Sequence, residues 1–282
     1  MNALIHEAAQ SLRGKLTYRG AVDAWECDQM GHMNIQFYAQ RFDLSEQVGL
    51  DGAWQSVGND LLARGRLGPL RERLTFHSEL RAGAPIEITM STFEPVDPEI
   101  LRVRHTLTKA DDGVLAATAD IDYEVSEAEH QPQRAPRRST PPSVPIDKNR
   151  TGLRHCGRSP ISDGDVRNAG LRRQKLVAML NHASCHAGLE RGRQRDLEGR
   201  LIVGSATLDM EIIVHGHVLA GMLLDVRSVL TRKTGKLVDA RHVIIDAGTD
   251  TPLYSVAATH VFFDARTRKA IEIPEPMTSV IT

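Results

Sequence analysis

The spacing of apolar residues changes twice between residues 16 and 126. Leu16 to Trp25 alternates as a short strand does. Ile35, Phe37, Tyr38, Phe42, Leu44 and Val48 then recur at helical spacings, which predicts a helix from Ile35 to about Leu50 with these residues on its buried face. Asn34 is a suitable N-cap and Gly49 a suitable C-terminal stop. Leu61 to Leu70 reads as a connection. From Arg71 the period falls to two. Leu74–His77, Pro85–Phe93, Ile100–Lys109 and Val114–Ser126 read as strands, separated by turn signals at Ala82-Gly83, Glu94 to Pro98 and Asp111-Asp112-Gly113. The predicted order is strand, long helix, antiparallel meander: an α+β fold.

Residues 127–160 break this texture with six prolines and seven basic residues, Arg134 to Arg158. They read as an extended, solvated linker; a basic arm for the phosphates of a nucleotide-bearing substrate is the alternative. Beyond it the first pattern returns. A helix-like run covers about Asp165 to Glu190, and strand-like runs follow at 206–214, 218–230, 236–247 and 253–264. Gly83 and Gly221 are related by an offset of 138 residues, and Ser45 and Ser184 by 139. A register kept through helix and strands points to a duplicated unit. The expected division is residues 1–126, a linker at 127–160, and residues 161–282.

Composition excludes several classes of function. A net charge of −1 over 282 residues gives no reason to expect nucleic-acid binding. Cys27, Cys156 and Cys185 are odd in number and widely spaced, which argues against a disulfide framework or a zinc site and for a reducing compartment. The first fifteen residues lack the apolar core of a signal peptide, and no apolar run approaches the roughly 20 residues a membrane helix needs. The expectation is a cytoplasmic protein without membrane association.

The chemistry gathers just before the first helix. Asp28, Gly31, His32 and Asn34 lie within seven residues, at the end where unsatisfied N–H groups favour negative charge. Such a site suits the stabilisation of an oxyanion. Glu46, further along the helix, is a rival carboxylate. His182, His186 and Glu190 share one face of the second helix but form no recognisable metal motif, so no metal is expected. Cys27 lacks a patterned base and reads as a small buried residue.

The string Asp28-x-x-Gly31-His32-x-Asn34, with Tyr38 four residues on, resembles the thioesterase branch of the hotdog-fold superfamily. That branch includes the 4-hydroxybenzoyl-CoA, YbgC-like and acyl-ACP thioesterases. Arg71-x-Arg73-Leu74-Thr75-Phe76 to Glu79-x-Arg81-Ala82-Gly83 is similar to its second strand and turn, nearest to the betainyl-CoA group. The likeness spans residues 16–126; residues 160–265 share it only at the level of fold.

The resemblance implies a double hotdog: two tandem units, each a long helix wrapped by an antiparallel sheet. It implies hydrolysis of an acyl-CoA, or less readily an acyl-ACP, with no cofactor beyond the CoA of the substrate. Asp28 would be general base or nucleophile. The amides from Met33 to Ile35 would polarise the thioester carbonyl, Gly31 would admit the acyl group close to the backbone, and His32 and Asn34 would orient water or the carboxylate. Gly31, Met33, Ile35 and Tyr38 would line the substrate. In the second unit the equivalent of Asn34 is Arg173, so that pseudo-site is expected to be degenerate, with Asp165 the nearest carboxylate. A hotdog hydratase or dehydratase and a non-catalytic acyl-CoA binder are the alternatives. A homodimer of such chains is left open.

Overall fold

The computed structural model describes residues 14–54, 67–93, 100–125, 152–167 and 170–281. Residues 127–151 of the linker, residues 61–66 of the expected connection and the turn at 94–98 lie outside them. Two compact units are resolved: Met1–Arg137 with Asp163–Val177 and His217–Ala220, and Arg138–Ser162 with Ala178–Gly216 and Gly221–Thr282.

In the first unit, β1 (Lys15–Ala21) leads through a single 3-10 turn, Ala24–Glu26, into α1 (Ile35–Trp54). The strands β2 (Leu67–Phe76), β3 (Pro85–Thr92), β4 (Ile100–Lys109) and β5 (Leu115–Val125) follow. All pairings are antiparallel, in the order β1-β3-β4-β5-β2. Strands β3 and β4 alternate as a half-buried sheet should, with Ile86, Ile88, Met90, Val103 and Leu107 fully enclosed.

The helix meets the sheet differently from the expectation. Phe37, Tyr38 and Phe42 are buried, but Leu44 and Val48 are exposed and Ser45 and Glu46 are buried in their place. Gly49 is no terminus. The helix runs on to Trp54, and a Cβ at Gly49 would lie 2.2 Å from Met90 Sδ and 3.2 Å from Thr17 Cγ2. The glycine allows the helix to lie close to the sheet. Ser45 explains why this face is polar: its Oγ is 2.6 Å from Thr17 Oγ1 and 2.8 Å from His105 Nδ1, which ties α1 to β1 and β4.

The second unit starts earlier than the linker assignment allowed. Arg154–Pro160 is a strand, β6, paired with β11. Only Cys156 among its seven residues is buried, so no apolar alternation marked it. Arg158 donates to both carboxylate oxygens of Asp225 (2.6 and 3.0 Å) and is not part of a free basic arm. Short hairpin strands β7 (Val166–Arg167) and β8 (Gly170–Leu171) precede α2 (Arg173–Ala187), whose first turn belongs to the first unit. Then come β9 (Gln194–Arg195), β10 (Leu201–Val214), β11 (Leu223–Thr234), β12 (Leu237–Asp246) and β13 (Thr251–Asp264).

The order in this sheet is β6-β11-β12-β13-β10, the same as in the first unit element for element. The irregularities repeat as well. Register shifts fall between Pro69 and Arg71 and between Thr207 and Asp209, and again between Leu107 and Thr108 and between Ile244 and Ile245. The ion pair Arg19–Glu87 recurs as Arg158–Asp225. The helix-to-strand contact Ser45–His105 recurs as Ser184–His242, at 3.4 Å. Bulges re-aim a strand and fix its register. Their recurrence gives the two sets of strands the same register breaks where identical residues are few.

Candidate active site

Asp28 sits in a tight turn between the 3-10 turn and α1. Its Oδ1 accepts from the N–H groups of Met30 (2.8 Å) and His32 (3.1 Å), its N–H donates to the His32 carbonyl, and its carbonyl accepts from Gly31. Its Oδ2 has no donor among the described residues, and the side chain is exposed. One oxygen is thus fixed and the other open. Gly31 closes the turn at φ +75°, and a Cβ there would meet nothing within 4 Å. The glycine is required by left-handed backbone, whereas the sequence suggested close approach of a substrate.

The turn rests on a buried frame. Glu26, fully enclosed, receives the Asp23 N–H (3.0 Å) on Oε2 and the Arg41 guanidinium (2.6 Å) on Oε1. Its carbonyl accepts the Asn34 N–H (2.9 Å). Asn34 Oδ1 caps the helix by accepting from Gln36 N–H at 3.2 Å, as its residue type predicted. The expected oxyanion amides are largely committed elsewhere. Met33 N–H donates to Leu80 O (2.8 Å) and Asn34 N–H to Glu26 O. Ile35 N–H, at the first helical position, has no acceptor among the described residues.

A second carboxylate joins the site from 47 residues further on. The segment 78–81 is stitched to 32–38 on either side of Glu79. Tyr38 Oη donates to Ser78 O (3.3 Å) and accepts from Leu80 N–H (2.9 Å), and His32 bridges Arg81. Glu79 Oε2 consequently lies 3.4 Å from the buried His32 Nε2. Tyr38, expected as a substrate contact, is buried, packs edge-on against Phe76, and has its hydroxyl pushed well above the ordinary phenol range by burial. It positions Glu79. Sequence reasoning missed Glu79 as a site residue, although it stood inside the strand-and-turn string that carried the resemblance.

The rival groups have other partners. Glu46 is buried and ion-paired with Arg173, the first residue of α2, which also reaches Asp43 (2.9 Å), Glu72 (2.5 Å) and Tyr123 Oη (3.4 Å). Burial, the largest influence, raises the Glu46 carboxyl, but Arg173 together with His105, Tyr123 and Arg167 outweighs it, so the net direction is down. Asp165 pairs with Lys175 at 3.5 Å. The Cys27 thiol bonds to Asp23 O and is pushed up by burial and by Asp28 and Glu26, so it is no ready thiolate. His182 and His186 are exposed, while Glu190 is taken by Arg193 and Cys185. Among the described residues no three such side chains are placed to hold a metal ion.

No protein-family model matches the sequence. A search of curated proteins finds no match either. Solved structures do match. A protein from Lactobacillus plantarum provisionally named an oleoyl thioesterase is 12% identical over 88% of this chain and 96% of its own, with TM-score 0.63. The 12:0-ACP thioesterase from Umbellularia californica is 8% identical over 86% and 92%, TM-score 0.60. An acyl-ACP thioesterase from Bacteroides thetaiotaomicron is 8% identical over 86% and 96%, TM-score 0.60. The α+β fold of this chain is the fold these thioesterases share. Neither helix among the described residues is long and apolar enough to cross a membrane.

Proposed function

We propose that the protein hydrolyses acyl thioesters, acyl-CoA foremost, at a single site centred on Asp28. The observation that carries this reading is a carboxylate with one oxygen pinned by two backbone N–H groups and the other open to solvent, at the start of a helix. A thioester is an activated acyl group, so a carboxylate with an oxyanion donor suffices for its hydrolysis. Asp28 Oδ2 takes a proton from water as it attacks the carbonyl, or attacks directly to give an anhydride that water then opens. The Ile35 N–H and the positive end of α1 stabilise the oxyanion. The proton released by water then passes to the departing thiolate through His32, oriented by Glu79, so that Asp28 and His32 return to their starting states. The products are a carboxylic acid and a free thiol, and no cofactor takes part.

We read the two repeats as a double hotdog, its first unit nearest to the 4-hydroxybenzoyl-CoA, YbgC-like and betainyl-CoA branch; the shared strand order and bulges support the tandem reading. Arg173 in place of a second Asn34 supports an inactive second pseudo-site. The three free cysteines agree with a reducing, cytoplasmic setting. Two of the similar structures are named for acyl-ACP, which makes a carrier-linked substrate the second reading. The test is thiol release from short, medium, branched, aromatic and betainyl-type acyl-CoAs by the wild type and Asp28→Asn. Turnover lost in the variant supports the reading. Turnover that survives the substitution refutes it.

A further inference from the structure

Three residues before Asp28, Trp25 is 68% exposed. Large aromatic side chains supply much of the energy of cores and interfaces, and this one is open to a ligand three residues from the carboxylate proposed to react. The residue is also held still. It lies in the middle of the 3-10 turn Ala24–Glu26, which Glu26 closes through Asp23 N–H and anchors to Arg41. Cys27 bridges Met33 on the following side. The indole stands at 87° to the ring of Phe37, with centroids 5.2 Å apart, and Phe37 is itself buried. A rigid, exposed aromatic loses little entropy when it is covered.

Resting on the thioesterase reading above, we infer that Trp25 is a substrate-binding residue that packs against the pantetheine arm of the thioester. Three residues span at most roughly 11 Å of chain, so the Cα atoms of Trp25 and Asp28 lie within that distance, and the edge contact with Phe37 keeps the indole at the start of α1. Two parts of the substrate fall in this range, the first carbons of the acyl group and the cysteamine and β-alanine portion of the arm. An acyl group is bound by being enclosed. The arm stays at the surface, because it is tethered to a nucleotide or a carrier protein too large to enter. The exposed indole is on the arm's side of the reaction. The arm alternates methylenes with amides, and indole offers an apolar face and one N–H donor to match.

The test uses the full chain with Trp54→Phe, which leaves Trp25 as its sole tryptophan. Its emission is followed while pantetheine, CoA, a phosphopantetheinylated carrier protein or octanoate is added. Saturable responses to pantetheine and CoA, with none to octanoate, are expected, and the tighter of CoA and carrier names the natural tether. In kinetics, Trp25→Ala is expected to raise KM for acyl-CoA and acyl-pantetheine by about tenfold with kcat within about twofold, the mark of binding shared by ground and transition states. Trp25→Phe should recover most of the loss, and acyl-N-acetylcysteamine, which lacks most of the arm, should respond little. A response to octanoate alone, silence toward pantetheine and CoA while acyl-CoA is turned over, or an equal loss with the truncated thioester overturns the assignment. A chain that hydrolyses nothing but answers to pantetheine refutes the hydrolase reading and keeps this one.

Discussion

Asp43→Asn should stabilise the protein at alkaline pH, although it removes one partner of a buried ion pair. Arg173 is one guanidinium among Asp43, Glu46 and Glu72, so full ionisation leaves the enclosed cluster with excess negative charge. Asp43 bears part of the cost: burial, with Glu46 and Glu72 adding repulsion, outweighs the pull of Arg173 and pushes its carboxyl up to about 6 from 3.8. A carboxylate whose folded pKa is raised favours the native state most below its unfolded pKa, and that contribution is lost as pH rises through the folded value. A carboxyl held at about 6 rather than 3.8 corresponds to about 3 kcal/mol above pH 7. Asparagine mimics the protonated form and keeps an acceptor for Arg173, but it cannot also accept from Gln174 N–H (3.4 Å), a loss of about 1 kcal/mol. The net gain is about 2 kcal/mol at pH 8, vanishing by about pH 4.5. Urea denaturation of both proteins across this range measures it, and a slope of roughly 2 kcal/mol/M places the midpoint shift near 1 M at pH 8. The wild type loses stability on acidification for a separate reason. Burial holds His105 and His260 near 4 and His242 near 3, but that background is common to both proteins. A variant destabilised equally at pH 8 and pH 4.5 would show that Arg173 fully compensates Asp43 and would refute the reasoning.

Other changes test the site and its frame. Glu79→Gln should lower kcat for acyl-CoA by about tenfold or more while KM changes little, as read by thiol release. Tyr38→Phe removes the hydroxyl that binds both neighbours of Glu79; a loss of about 1–2 kcal/mol in urea denaturation and a fall in kcat matching that of Glu79→Gln are expected. Gly31→Ala, at φ +75°, should cost about 1–2 kcal/mol through backbone strain alone, since the new methyl meets nothing. Arg173→Met leaves three enclosed carboxylates uncompensated and should cost about 3–5 kcal/mol at pH 8, and less at pH 5, where they can bind protons.

Much of the fold was legible because its signals are local. The alternation in β3 and β4, the run from Ile35 and the glycine turns at Gly83 and Gly221 each fix an element within a few residues. The helix face was not. Leu44 and Val48 look like core by spacing, yet the Thr17–Ser45–His105 chain turns the polar side of α1 inward, and that requires knowing what lies opposite. The same limit hid Arg173. An arginine at a helix start reads as a solvated cation until three acids from two other elements are found around it. At the site, Asp28 was singled out as the candidate carboxylate by spacing, and the Asn34 cap followed from residue type. Glu79 did not, because its approach to His32 depends on hydrogen bonds made by Tyr38 and Met33 across the fold.

The repeated bulges carry a consequence for how the chain reaches its native state. Two sets of strands with one order and shared register shifts give a nascent chain two templates, and domain-swapped misassembly is a known failure of tandem repeats. Charged side chains on the paired strands oppose it. Arg102 and Arg104 on β4 each hold an aspartate of β5, Asp122 and Asp120. The corresponding partners on β13 are Thr259 and Ala257, facing Asp239 and Arg241 of β12. A β13 strand docked on β4 would leave two arginines without acids, while a β5 strand docked on β12 would set Asp122 against the buried Asp239 and Asp120 against Arg241. Like charges directly opposite destabilise a pairing. The pairs Arg102–Asp122 and Arg104–Asp120, which have no counterpart between β12 and β13, thereby act as an address that brings β5 to β4.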